Sequence, residues 1–229
     1  VIVHPPGGIA GGDRLSIEVD VEAGAHAFLT TPGATKWYKA PQGVAVQTAR
    51  LRVAAGAVLE WLPQEAIVFN AADADSRTHV DLSGDARFIG WDILCFGRTA
   101  SDERFATGRF RQRWELRRDG ALLWNEFGAL DGGSALMDAP VGMAGQPVVG
   151  TLIASGPDLP AGLMEPLRER LSGLPCAARV AATRLDRIIA VRYLGPSTEE
   201  ARDALTHAWS LLRQDLTGVI AEPPRLWRT

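Results

Sequence analysis

The chain has 229 residues, 46% hydrophobic and 22% charged, enough for one good-sized globular domain or two small ones and outside the disordered and fibrous classes. Lys+Arg number 24 against Asp+Glu 27, a formal charge of -3, so the basic excess that nucleic acid rewards is missing and nucleic acid is not an expected partner. No apolar run approaches the roughly 18 residues of a membrane span, the start lacks a signal-peptide pattern, and the two cysteines, Cys95 and Cys176, form no Cys-x-x-Cys; a soluble cytoplasmic protein without a membrane partner is expected.

Val1-Ile2-Val3 reads as strand, as though the chain began inside an element. From Arg14 to Glu22 apolar and polar residues alternate strictly, with Leu15, Ile17, Val19 and Val21 on one face, which predicts a half-buried strand. After a turn at Ala23-Gly24 the chain resumes with Ala25, Ala27 and Leu29. The design recurs in Val44 to Val53, the turn Ala55-Gly56, then Ala57, Leu59 and Trp61. Both turns carry Val-x-Ala-Gly-Ala, with their glycines 32 residues apart, and a degraded copy, Leu82-Ser83-Gly84-Asp85-Ala86, follows 28 residues later. Such a period predicts stacked β coils rather than a closed barrel.

Strands are predicted at Phe88–Phe96, Gly108–Arg117 and Leu122–Phe127, with Arg118-Asp119-Gly120 as the turn between the last two. The Gly/Pro-rich stretch from Asp131 to Pro147 breaks the pattern and places a boundary, giving a β-rich stacked-strand body over 1–145 and an α+β portion over 146–229. The second portion reads as strand Val148–Ala154, helix Ala161–Leu171, strand Ala177–Thr183, strand Arg187–Leu194 and helix Thr198–Leu216, a split β-α-β arrangement. In the last helix Ser197 and Glu200 have capping-box spacing, Gly218 is a stop, and Ala201, Leu205, Trp209, Leu212 and Leu216 form one apolar stripe expected to be core. The fold class is therefore mostly β with two α-helices: a β-helix-like body followed by a smaller split β-α-β portion.

Several chemistries are missing. The only lysines, Lys36 and Lys39, complete no P-loop, and Gly7-Gly8-Ile9-Ala10-Gly11-Gly12 does not lie between a strand and a helix, so it reads as a tight loop rather than a dinucleotide site. His4, His26, His79 and His207 show no ligand spacing, and Gly133-Ser134 does not open a hydrolase elbow. No catalytic residue and no resident cofactor is expected. What remains is acid in apolar company. Strand alternation puts Asp92 on the face of Phe88, Leu94 and Phe96, and Glu126 on the face of Leu122 and Trp124. A carboxylate there needs a partner, hydration or a cation. An ion pair with an arginine such as Arg98, Arg104 or Arg113 is one solution; a cation path or transient metal site is the other. Asp13, after Gly11-Gly12, reads either as a turn carboxylate or as part of such a path.

Four motifs carry a family resemblance: His4-Pro5-Pro6-Gly7-Gly8-Ile9-Ala10-Gly11-Gly12-Asp13, Thr30-Thr31-Pro32-Gly33-Ala34-Thr35-Lys36-Trp37-Tyr38, Trp61-Leu62-Pro63-Gln64-Glu65-Ala66-Ile67, and the closing Pro224-Arg225-Leu226-Trp227-Arg228-Thr229. With Trp91 to Arg98 and Leu130 to Gly133 they resemble the urease accessory protein UreD family, also called UreH. Members of that family have a further N-terminal segment before His-Pro-Pro-Gly-Gly. The resemblance implies a β-helix-like body with two helices and a non-enzymatic scaffold or chaperone. Such a protein would bind the urease structural subunits and, through UreF, recruit the nickel-carrying GTPase UreG. It also implies Ni²⁺ in transit through an internal path to the urease active site, with Asp13, Asp92 and Glu126 at positions matching acidic family positions. Two other readings use the same residues: a hydrolase with Asp92 and Glu126 across one cleft, and a structural β-solenoid adaptor that conducts nothing.

Overall fold

The computed structural model describes residues 1–4, 7–175 and 178–228, so the expectation for Cys176 lies outside the described residues. Three coils open the chain. The first holds β1 (Gly8–Ile9), β2 (Arg14–Val21), β3 (His26–Leu29) and β4 (Thr35–Trp37); the second holds β5 (Ala45–Val53), β6 (Val58–Trp61) and β7 (Ala66–Val68); the third holds β8 (Asp73–Leu82) and the long β9 (Arg87–Arg98). Each coil lays its strands in parallel on the one before. Ile17 pairs with Ala49 and Ala49 with Thr78, His26 pairs with Val58 and Val58 with Arg87, and β4 passes through β7 to the second half of β9.

The repeated string makes the corners. Gly24, Gly56 and Gly84 all take the left-handed conformation, with φ of +72°, +71° and +53°, so the degraded third copy is a true coil corner. The corners are laced together: Asp85 Oδ1 accepts from Gly56 N at 2.6 Å and Asp119 Oδ1 from Gly84 N at 2.9 Å. After the short β10 (Glu103–Arg104), β11 (Arg109–Arg118) continues the parallel stack beside β8. Asp119 and Gly120, both at positive φ, then turn the chain into the antiparallel β12 (Ala121–Asp131), as a two-residue hairpin demands.

A short helix α1 (Ala135–Asp138) sits in the Gly/Pro-rich stretch. Beyond it come β13 (Val148–Ser155), α2 (Met164–Ser172), β14 (Arg179–Leu185), β15 (Ile188–Gly195) and α3 (Thr198–Thr217). β13 pairs antiparallel with both β9 and β15, and β14 flanks β15. The sheet of the coils thus runs on, in the order β9-β13-β15-β14, with β15 splitting the β-α-β unit. Three expectations need correction, the first being the helix count, since α1 adds a one-turn helix to the two expected. Val1–Val3 form no strand, Ile2 N donating only to Thr30 O, and the helix expected from Ala161 opens as a 3₁₀ turn at Ala161–Leu163 before α2 begins at Met164.

The result is a sandwich. One face of the large sheet meets the five-stranded sheet β12-β11-β8-β5-β2, and its other face carries α2 and α3. Helix α3 starts on Ser197, whose Oγ accepts from Glu199 N and Glu200 N, and stops at Gly218, φ +71°. Its whole stripe, Ala201, Leu205, Trp209, Leu212 and Leu216, is buried against Trp91, Ile93 and Val191. No helix among the described residues is long and apolar enough to cross a membrane.

Candidate functional site

Strand register turns the sandwich interior into transverse rows. Leu15, Gln47, Ser76 and Gln112 align on β2, β5, β8 and β11, and the next row inward is Ile17, Ala49, Thr78, Trp114 and, on β12, Glu126. On the opposing sheet Asp92 of β9, Thr151 of β13 and Arg192 of β15 are aligned in the same way. Phe88, four residues before Asp92, belongs to one apolar cluster with Leu51, Val80 and Leu116; Leu94 and Phe96, on its other side, belong to a second with Trp37, Val68 and Phe110. The interior therefore has a polar waist between two apolar clusters. A cavity of about 380 Å³ opens there, its floor lined by Gln47, Ser76, Thr78 and Asp92, its mouth by Ile2, His4, Gly7 and Thr31–Thr35.

Asp92 lies on the face that alternation assigned to it. Its Oδ2 accepts from Gln112 Nε2 at 2.9 Å and from the indole N–H of Trp114. It takes nothing from Arg98, Arg104 or Arg113; Arg98 is paired with Glu103 at 2.7 Å. Burial, and behind it the charge of Glu126, push the Asp92 carboxyl up to about 7, and the Trp114 hydrogen bond offsets only part of that rise. At neutral pH Asp92 thus stands between acid and carboxylate, and a cation arriving in the cavity favours the charged form. Glu126 is compensated differently. Its Oε1 accepts from Arg192 Nη1 at 2.6 Å, the ion-pair solution with an arginine from the far side of the fold.

Asp13 stands apart from these two. It is exposed, its Oδ2 accepts from Ala10 N at 2.9 Å, and it is not in the cavity lining. The structure brings Asp92 and Glu126 into electrostatic contact and leaves Asp13 closing the turn after Gly11-Gly12. Among the described residues no three His, Cys, Asp or Glu side chains form a cluster able to hold a metal ion. The glycine-rich loop has a packing reason: a Cβ on Gly8 would fall 2.3 Å from the Tyr38 ring, and one on Gly11 2.8 Å from Ala40 Cα.

A family profile described as UreD urease accessory protein matches residues 1–228. The chain belongs to the UreD urease accessory protein family. It is 47% identical over 230 residues to the urease accessory protein UreD of Azoarcus sp. (strain BH72), covering all of this chain and 79% of that protein. The UreD protein of Janthinobacterium sp. (strain Marseille) is 49% identical over 229 residues, with 77% of its length covered, and that of Pseudomonas aeruginosa PAO1 46% over 230 residues, with 80% covered.

The motifs that carry the UreD resemblance converge on the cavity. His4 and Gly7 come from the first, Thr31 to Thr35 from the second, Trp61 and Pro63 from the third, and Asp92 from the strand Trp91 to Arg98. The closing motif braces the mouth from behind: Trp227 Nε1 donates to Thr30 Oγ1 at 2.9 Å and Gln64 Nε2 to Leu226 O at 3.2 Å. One acid escaped the sequence reading. Glu60, fully buried, holds His26 Nε2 and Trp209 Nε1 each at 2.6 Å and Arg213 Nε at 3.0 Å. The signal that found Asp92, a carboxylate inside an apolar strand, was equally present in Val58-Leu59-Glu60-Trp61. Glu60 points the other way, toward α3, so it fastens the helix rather than lining the cavity.

Proposed function

We propose that this chain is a urease maturation factor: a non-enzymatic cytoplasmic scaffold that binds the apo-urease subunits and, with UreF and the GTPase UreG, mediates nickel insertion. Ni²⁺ is its cargo rather than a resident cofactor. The observation that supports this reading is the convergence of residues from four family motifs on one internal cavity with a carboxylate at its floor. Ser76 and Thr78 hydroxyls, the Gln47 amide and the Asp92 carboxylate offer oxygen donors, with Glu126 beyond them. Oxygen ligands hold Ni²⁺ far more loosely than a thiolate and imidazole cage, so an ion can enter and still leave. Asp13, outside the cavity lining, adds no ligand to this set.

The test is co-expression of the Asp92→Asn, Glu126→Gln double variant with urease subunits and the other accessory proteins. An assembled complex with depleted nickel per active site and low urease activity is expected. Wild-type nickel content in an assembled complex would leave a structural adaptor that conducts nothing.

A further inference from the structure

The aligned polar row of the large sheet ends on a positive charge. Arg192 Nη1 lies 2.6 Å from Glu126 Oε1 and 3.2 Å from Thr151 Oγ1, bridging the two sheets just beyond Asp92. Its guanidinium stands 5.6 Å over the Trp124 ring, whose buried Nε1 has no hydrogen-bond partner among the described residues. Arg192 also lines a second cavity of about 340 Å³ with Gly142, Met143, Val149, Arg179 and Leu194, and Glu126 is not in that lining. The side chain therefore has a charged seat and open space into which a long flexible stem can swing.

We propose that Arg192 is the passage's resident counter-cation: it fills the place between Glu126 and Thr151 that a divalent cation would take, and yields that place by swinging into the adjoining cavity. The inference rests on the reading of the waist as a nickel path. A guanidinium and a divalent cation at one carboxylate repel each other, so the two exclude one another and Glu126 serves whichever is present. In an unloaded chain Glu126 is then already neutralised, in a pair whose side chains are 42% and 30% exposed and so open to an ion from solvent. A monovalent ion offers Glu126 no more charge than the arginine already does, so the exchange favours a divalent one.

The experiment measures Ni²⁺ binding to the purified full chain by equilibrium dialysis. Arg192→Met should bind Ni²⁺ at least tenfold more tightly than the wild type, and adding Glu126→Gln should remove that gain. Arg192→Gln, which can still donate to Glu126 but carries no charge, should show the same gain and keeps the test open if the methionine variant does not fold. Unchanged nickel affinity in a folded Arg192 variant, or a gain that survives Glu126→Gln, overturns the proposal. Measuring nickel delivered to co-expressed urease separates it from the reading beneath. Tighter binding with delivery insensitive to Asp92 and Glu126 keeps the exchange and removes the path; unchanged binding with impaired delivery does the reverse.

Discussion

A carboxylate between two apolar clusters is expensive, and Asp92 shows how the expense is carried. Its two hydrogen bonds come from neutral donors, Gln112 and Trp114, so no fixed positive charge holds it ionised. With its pKa raised from 3.8 to about 7, the native state binds a proton that the unfolded chain has released across that window. The unfolded state therefore binds fewer protons, and this group makes stability fall as pH rises from about 4 to 7 and level off above. Asp92→Asn, which keeps the shape and never ionises, should unfold at higher denaturant than the wild type at pH 8 and lose that advantage at pH 4. One pKa unit corresponds to about 1.4 kcal/mol, so the difference at pH 8 has a ceiling of about 4 kcal/mol. Equal midpoints at both pH values would show that Asp92 is solvated in the native state. Glu60 is compensated by a cation instead. It is paired with Arg213, so Glu60→Ala strands a half-hidden guanidinium and the Trp209 indole N–H and should cost roughly 3–5 kcal/mol. A thermal midpoint within a degree or two of wild type would contradict the buried hub.

At the scale of elements, what was legible in the chain was whatever periodicity controls. The alternation of Leu15 to Val21, the Val-x-Ala-Gly-Ala corners and the stripe of α3 are local patterns, and the structure places all three as they predicted. Less legible were relations that depend on register between distant strands. Nothing local in Arg192 or Thr151 says that they align with Asp92, because that alignment is set by antiparallel pairing of β9, β13 and β15. For the same reason Arg98, Arg104 and Arg113 were natural partners for Asp92 in sequence and are not its partners in space, whereas the turn reading of Asp13, a local feature, was open from the sequence. The short strand at Val1–Val3 failed because three β-branched or apolar residues carry no register at all. The stripe of α3 supports a further prediction. Leu205, fully buried, faces Gly150 and the core of the large sheet, so Leu205→Asp puts an unpaired charge among side chains that cannot hydrogen-bond it. A loss of several kcal/mol is expected, measured as a lowered denaturant midpoint. Unchanged stability with lost partner binding would reassign the stripe to an interface.

On the scale of the whole molecule, stacked coils alone would make a quasi-one-dimensional protein whose ends unfold separately from its middle. Two long-range ties work against that here. Helix α3 is fastened to the second coil through Glu60, and the C-terminal tail returns to the first coil, where Trp227 Nε1 reaches Thr30 Oγ1 across 197 positions of sequence. The Trp227 ring closes an aromatic cluster with Trp91, Trp209 and Phe28, ring centroids 5.1, 5.5 and 5.9 Å away. That cluster joins tail, helix, large sheet and first coil, directly behind the cavity mouth formed by Thr31 to Thr35. Unfolding of the wild type is therefore expected to be one cooperative step, with near-ultraviolet dichroism from the tryptophans and far-ultraviolet dichroism from the strands lost at the same midpoint. Trp227→Ala should lower that midpoint by roughly 3–5 kcal/mol in stability, the usual cost of deleting a buried indole. It should also separate the two signals, because the first coil is then left with its ladders to the second coil and side-chain bonds such as His26–Glu60, while β9, β13 and β15 keep their pairing with one another. Coincident transitions in the variant would mean that the coils cohere without the tail, and that Thr30 to Thr35 hold the mouth open by their own turn and the Thr31–Gln64 hydrogen bond alone.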